Sequence, residues 1–199
     1  MPILSYVRAL NRALAAEMER DPAVCVFGED IGVAVSNVTT GLLKRFGPER
    51  VIDMPISEQA FTSFATGAAI AGSRPVIEFQ IPALLFLVFE QIANQAHKFS
   101  LMTGGQIKVP VTYLLPSSGS RVGWAGQHSD HPYSLFAHVG VKTVVPATVT
   151  SVPGRCTRPT PSGTGASVSK STFSRRATAP AGPNTITGSS SRIALISRP

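Results

Sequence analysis

The sequence predicts an α/β fold: a mainly parallel sheet with helices on both faces, followed by a disordered tail. Two observations carry the folded part. Short, continuous apolar runs such as Val24-Cys25-Val26-Phe27 recur along the chain, as strands buried on both faces do. Between them lie amphipathic segments with apolar residues at helical spacing, the pattern of helices that cover such a sheet. A third observation carries the tail. No Asp or Glu occurs after Asp130, and from about Thr148 the chain consists mostly of Ser, Thr, Pro, Gly, Ala and Arg without a sustained period.

The elements follow in order. Ser5 can cap a first helix whose Val7, Leu10, Leu14 and Met18 fall on one face, and Asp21-Pro22 ends it. Val24 to Phe27 is a buried strand that opens into Gly28-Glu29-Asp30. A short helix over 41–46 stops at Gly47-Pro48, and Arg50 to Asp53 is the second strand. Ser57 then caps a helix over 58–71, whose Ala65, Gly67, Ala68 and Ala69 permit close packing before Gly72. Pro75 to Phe79 is a third strand, and a longer helix over roughly 84–102 ends at Gly104-Gly105. Val109 to Leu115 is a fourth strand, 117–130 a glycine-rich loop, 135–139 a short helix and 142–145 a fifth strand. In the tail only Arg192 to Ile196 has the makings of a strand. The expected division is a domain over 1–147 and a tail over 148–199.

Charge has to be read across that seam. Of the 18 Lys and Arg, seven lie after residue 147, leaving eleven to balance the eleven Asp and Glu that precede it. The folded part is neutral, and the tail's arginines are not interleaved with aromatics, so no nucleic-acid partner is expected. Cys25 and Cys156 sit on opposite sides of the seam and form no disulfide framework, which makes a reducing cytoplasm the expected compartment. The N-terminus lacks the apolar core of a signal peptide. The most apolar run, Ile81 to Phe89, is half of what a membrane-spanning helix requires, about 20 residues, so no membrane partner is expected either.

In parallel sheets, ligands collect in the crevice beyond the carboxyl ends of the strands. The segments there are 28–30, 54–58, 80–82 and 117–130, and they hold the polar residues of interest. Glu58 opens a helix among small and apolar residues, where a carboxyl can acquire a raised pKa and share a proton with a ligand nitrogen. It can equally well complement the helix dipole. His128, in Gly126-Gln127-His128-Ser129-Asp130-His131, can support proton transfer or simply face solvent. No cysteine or further acid completes a zinc set around it, so no metal site is expected. His97 and His138 read as packing or surface residues. Neither a nucleophile elbow, nor a Walker loop, nor a Gly-x-Gly-x-x-Gly turn after the first strand is present. The chain supplies no recognisable phosphate cradle.

An ordered series of short motifs then becomes informative as a set. It runs Phe27-Gly28-Glu29-Asp30-Ile31-Gly32, Gly41-Leu42 with Phe46-Gly47, Arg50 to Gln59 (Arg-Val-Ile-Asp-Met-Pro-Ile-Ser-Glu-Gln), Gly67 to Gly72, Phe89-Glu90-Gln91-Ile92, Gln127-His128-Ser129, and Gly140 to Pro146. Over nearly all of residues 1–146 this resembles the beta subunit of thiamine-diphosphate-dependent 2-oxoacid dehydrogenases, the group of the pyruvate, branched-chain and acetoin enzymes. The resemblance implies the pyrimidine-binding domain of the transketolase-like fold. Glu58 then corresponds to the glutamate that hydrogen-bonds the aminopyrimidine of thiamine diphosphate. That bond favours the imino tautomer that takes the thiazolium C2 proton. The ylide attacks the substrate carbonyl, carbon dioxide leaves (the acetoin enzymes cleave a carbon–carbon bond instead) and the acyl group passes to a lipoyl arm. His128 corresponds to a histidine near substrate and lipoyl acceptor, while Glu29 and Gln80 correspond to pocket positions. Leu84 departs from the pattern, since an aromatic is common there.

The resemblance further implies an alpha-type subunit, assembled with beta as a heterotetramer, that holds the diphosphate and magnesium. It also implies a lipoyl-bearing acyltransferase as partner. It implies that the chain should continue after Ala147 into more of this domain and a second α/β domain. The tail instead has the composition that a GC-rich gene yields when read out of frame. A frameshift near codon 148, leaving an inactive derivative, is therefore one expectation. A stand-alone pyrimidine-binding module is another, and it would need a closing helix after the fifth strand.

Overall fold

The computed structural model describes residues 5–116, 125–144 and 167–170. Its centre is a parallel sheet of β1 (Val24–Gly28), β2 (Val51–Asp53), β3 (Arg74–Glu78), β4 (Thr112–Leu115), β5 (Thr143–Val144) and β6 (Ser167–Lys170). The spatial order is β2-β1-β3-β4-β6-β5, every adjacent pair parallel. Successive side chains of a strand point to opposite faces, and β1 shows the result directly. Val24 and Val26 pack with Leu10, Leu14 and Met18 of α1 (Tyr6–Arg20) on one face. Cys25 and Phe27 pack with Phe61, Ala65 and Ala69 of α3 (Glu58–Ile70) on the other. Both faces of the sheet are thus covered, as the run of apolar residues in β1 requires.

Local chemistry explains the ends of these elements. Ser5 Oγ accepts from Arg8 N at 3.3 Å and caps α1, while Asp21, in extended conformation, ends it. The α2 helix (Leu42–Phe46) lies between Gly41 and Gly47, both at positive φ, and its Arg45 pairs with Glu19 of α1. The Arg50 guanidinium donates to the carbonyls of Met18, Asp21 and Val24. It satisfies the exposed end of α1 and fixes the start of β2 beside β1.

Several expectations need correction. Ser57 precedes α3 but makes no side-chain cap. Of the small residues in that helix, Ala65 and Ala69 are buried while Gly67 faces outward with open space around it. The single helix expected over 84–102 is broken into a 3-10 turn (Pro82–Phe86), a π-helical stretch (Gln91–Ala96) and the short α4 (Phe99–Met102). Of the core residues, Leu85, Val88, Ile92, Ala93 and Ala96 keep the i, i+3, i+7, i+8, i+11 spacing of one α-helical stripe and only Ala83 falls off it, so the side-chain period gave no sign of the breaks. The π stretch shows in the backbone, where His97 N donates to Ile92 O at 2.9 Å.

The fourth strand starts at Thr112, not Val109: Pro110 has no N–H to give to a ladder, although Val109 and Val111 remain fully buried. A final short helix, α5 (Tyr133–His138), precedes β5. Ser167–Lys170 also pairs between β4 and β5, inside the segment expected to have no structure. The strand anticipated at 192–196, most of the 117–130 loop and the rest of the tail lie outside the described residues. No helix of the described residues is long and apolar enough to cross a membrane.

Candidate functional site

Because all strands are parallel, their carboxyl ends share one edge. The chain leaves β1 to form β2 on one side and returns to form β3 on the other. Such a reversal opens a crevice between the two central strands. Glu29 directly follows β1, and Gln80 lies two residues past β3. The Gln80 side-chain amide donates to the Glu29 carbonyl at 2.8 Å, which closes the two strand ends onto each other. Glu58, at the head of α3, is only 8% exposed. Its negative charge reaches Glu29, whose carboxyl is pushed up from the ordinary value by burial first, then by Glu58 and Asp30. Glu29, Gln80 and Glu58 are therefore brought to one place.

The surroundings fix Glu58 further. Gln59 donates to the Leu87 carbonyl at 2.9 Å, tying the head of α3 to the 82–88 segment. Phe64 lies edge-on to Phe27 of β1 with ring centres 5.3 Å apart. His128 occupies a 3-10 turn (Gly126–His128) that packs against the Pro82–Phe86 turn, so it joins the same rim from the β4 side. Its turn is held by Ser129 Oγ donating to the Ala125 carbonyl at 2.7 Å. Leu84, where an aromatic was expected, is partly buried against the core. Among the described residues no group of three His, Cys, Asp or Glu is placed to hold a metal ion.

Glu78 was missed. It ends β3 at the centre of the sheet, is 2% exposed, and has one carboxyl oxygen, Oε2, without a hydrogen-bond partner. Burial pushes its acid up to about 7, against an opposing hydrogen bond from the Ser36 side chain. A charge within the otherwise apolar run Pro75 to Phe79 was the available signal. Also unanticipated are two fully buried hydroxyls without a partner, Thr62 Oγ1 and Tyr113 OH. Thr62 stands one turn beyond Glu58 on α3. Thr66, a further turn along, spends its own hydroxyl on the Thr62 carbonyl at 3.0 Å and faces the Tyr113 phenol without satisfying it at normal geometry. Behind the carboxylate, the helix thus presents a polar stripe to an apolar core.

The sequence matches a known family model, described as the transketolase pyrimidine-binding domain, over residues 3–155. The chain belongs to this family. Within it, the chain is similar to beta subunits of the 2-oxoacid dehydrogenases. It is 43% identical over 141 residues to the mitochondrial pyruvate dehydrogenase E1 component subunit beta-2 of Oryza sativa subsp. japonica, covering 69% of this chain and 37% of that one. It is also 43% identical over 142 residues to the pyruvate dehydrogenase E1 component subunit beta of Rickettsia conorii, covering 69% and 43%. To the 3-methyl-2-oxobutanoate dehydrogenase subunit beta of Mycobacterium tuberculosis it is 40% identical over 148 residues, covering 73% and 42%. The chain spans about two fifths of the length of these curated relatives. Among solved structures, a split-gene transketolase described as an inactive beta4 tetramer aligns with a TM-score of 0.57 at 20% identity, over 76% of this chain and 46% of that one. At that identity the likeness concerns the fold alone.

Proposed function

We propose that this chain is a beta-type E1 subunit of a thiamine-diphosphate-dependent 2-oxoacid dehydrogenase and supplies the pyrimidine side of its cofactor site. The observation that carries this is the Glu58 carboxyl, nearly buried at the head of α3 and beside Glu29 at the crevice. A carboxyl so placed suits a ring nitrogen that must gain and lose a proton. Glu58 would hold the aminopyrimidine, with Glu29 and Gln80 as walls and His128 toward the substrate side. When bound, the cofactor supplies the electron sink for decarboxylation; the residues here bind and orient it, and Glu58 would exchange a proton with its ring nitrogen. Diphosphate and magnesium fall to an alpha-type partner, with which a heterotetramer forms, and a lipoyl-bearing acyltransferase takes the acyl group. The exposed Ile56, Phe64, Phe86 and Leu87 at the same rim support a partner on this face, because grouped apolar residues mark association surfaces.

The test is co-expression with an alpha-type subunit, followed by thiamine-diphosphate-dependent decarboxylation of pyruvate and 3-methyl-2-oxobutanoate with an artificial electron acceptor. Glu58→Ala should cut the rate by roughly 100-fold or more; an unaffected variant refutes the assignment. A second reading, an inactive derivative produced by a frameshift near codon 148, is favoured by the loss of acidic residues and the change of composition there. It predicts that another frame of the coding DNA encodes a beta-subunit continuation and that restoring this frame restores activity. Absence of such a frame removes it.

A further inference from the structure

We propose that Glu78 is a positioning residue for the site: from the centre of the sheet it holds the loop over 29–41, and with it Glu29, against the crevice. The inference deepens the function proposed above and rests on it for the role of Glu29. Its geometric basis is a stack of three layers at the end of β1. Glu78 and Gly28 are paired across β3 and β1. A Cβ added at Gly28 would lie 2.6 Å from the Glu78 carbonyl oxygen and 2.9 Å from Ile31 Cγ2. Only glycine lets the loop descend this far, and Ile31, 1% exposed, packs over the end of β1 beside the buried Glu78. Ser36, further along the same loop, meets the carboxyl.

The rest of the loop is wound tightly around this anchor. Asp30, Ala34 and Asn37 all adopt positive φ, a conformation that Asp and Asn enter readily but that alanine holds only when its surroundings impose it. Thr39 Oγ1 donates to the Ile31 carbonyl at 2.7 Å, Gly32 N to Asp53 Oδ1 at 2.8 Å and Val38 N to Ser36 Oγ at 3.1 Å. Asn11 of α1 grips the far end through the Val38 and Thr40 carbonyls. Glu78 is a buried ionisable group beneath this cover. The acids that share the edge, Glu29, Asp30, Asp53 and Glu58, do not displace its titration, and among the described residues no cation acts on it.

A closed loop tolerates the neutral acid and disfavours its ionised form, which an open loop hydrates. Opening of the loop should therefore increase with pH. With the acid at about 7 when covered and at its ordinary value of 4.5 when hydrated, the opening equilibrium rises about tenfold between pH 6 and pH 8. Hydrogen exchange on the full chain, corrected for intrinsic rates, reads this at the amides of Gly32, Ala34 and Val38. The expected result is an approximately tenfold loss of protection between pH 6 and pH 8, abolished in Glu78→Gln. In Ser36→Ala, read at Gly32 and Ala34 because Val38 N loses its acceptor there, the dependence should persist and extend to higher pH, because the contact that favours the ionised acid is gone. Protection independent of pH, or equally dependent in Glu78→Gln, overturns the proposal. The measurement needs no cofactor, so such a result would leave the functional reading standing. Failure of the assembled enzyme to use thiamine diphosphate would do the reverse.

Discussion

Replacing Glu78 by glutamine should change how the stability of the whole domain depends on pH. Below about pH 4.5 the acid is protonated in both the folded and the unfolded chain, and pH has no effect through it. As pH rises, the unfolded chain releases the proton first, while the buried acid keeps it until about pH 7. Stability is therefore lost progressively across that window, and the loss levels off above it. Between pH 5 and pH 8 the loss amounts to about 2 to 3 kcal/mol, a large share of what a small domain possesses. The glutamine has nearly the same shape and cannot ionise. It adds a fixed cost for an imperfectly bonded amide, but that cost is the same at both pH values. Urea denaturation of the full chain and of Glu78→Gln at pH 5 and pH 8 isolates the effect, because all other titrations are shared. The variant should gain about 2 to 3 kcal/mol relative to the unsubstituted chain on going from pH 5 to pH 8. Parallel pH profiles for the two proteins would show that Glu78 is hydrated or neutralised in the fold, and the reasoning would fail.

Three further outcomes are expected. Glu58→Gln should lower the pKa of Glu29, since the Glu58 charge is the second cause of its elevation after burial; carboxyl NMR titration showing no downward move would separate the two residues. Thr62→Val, which replaces a fully buried hydroxyl without a partner by a methyl group of similar shape, should raise stability by about 1 kcal/mol in denaturant unfolding, whereas a loss would mean that the hydroxyl is satisfied. Gly28→Ala should lower stability by about 1 to 3 kcal/mol, because its Cβ would meet the Glu78 carbonyl oxygen at 2.6 Å; an unchanged melting curve would contradict the close approach of loop and sheet.

The apolar run of β1, the helical spacing of α1 and the glycines around α2 were readable because each depends on residues close together in sequence. The predicted strand ends likewise placed Glu58, Glu29 and Gln80 at one crevice, for the carboxyl ends of parallel strands must share an edge. The 84–102 segment was not readable in this way. Its buried residues keep helical spacing, whereas the breaks are in the backbone hydrogen bonding, which the side-chain period does not report. Glu78 escaped notice for a related reason. Its neighbours in sequence make it look like an ordinary strand end, and its burial depends on Ile31 and Ser36 arriving from a loop more than forty residues earlier. Local pattern thus settled the fold class, the family and the acids at the crevice. Packing between distant segments settled which acid lost its water, since desolvation is a property of everything that surrounds a group and not of the residues beside it in the chain.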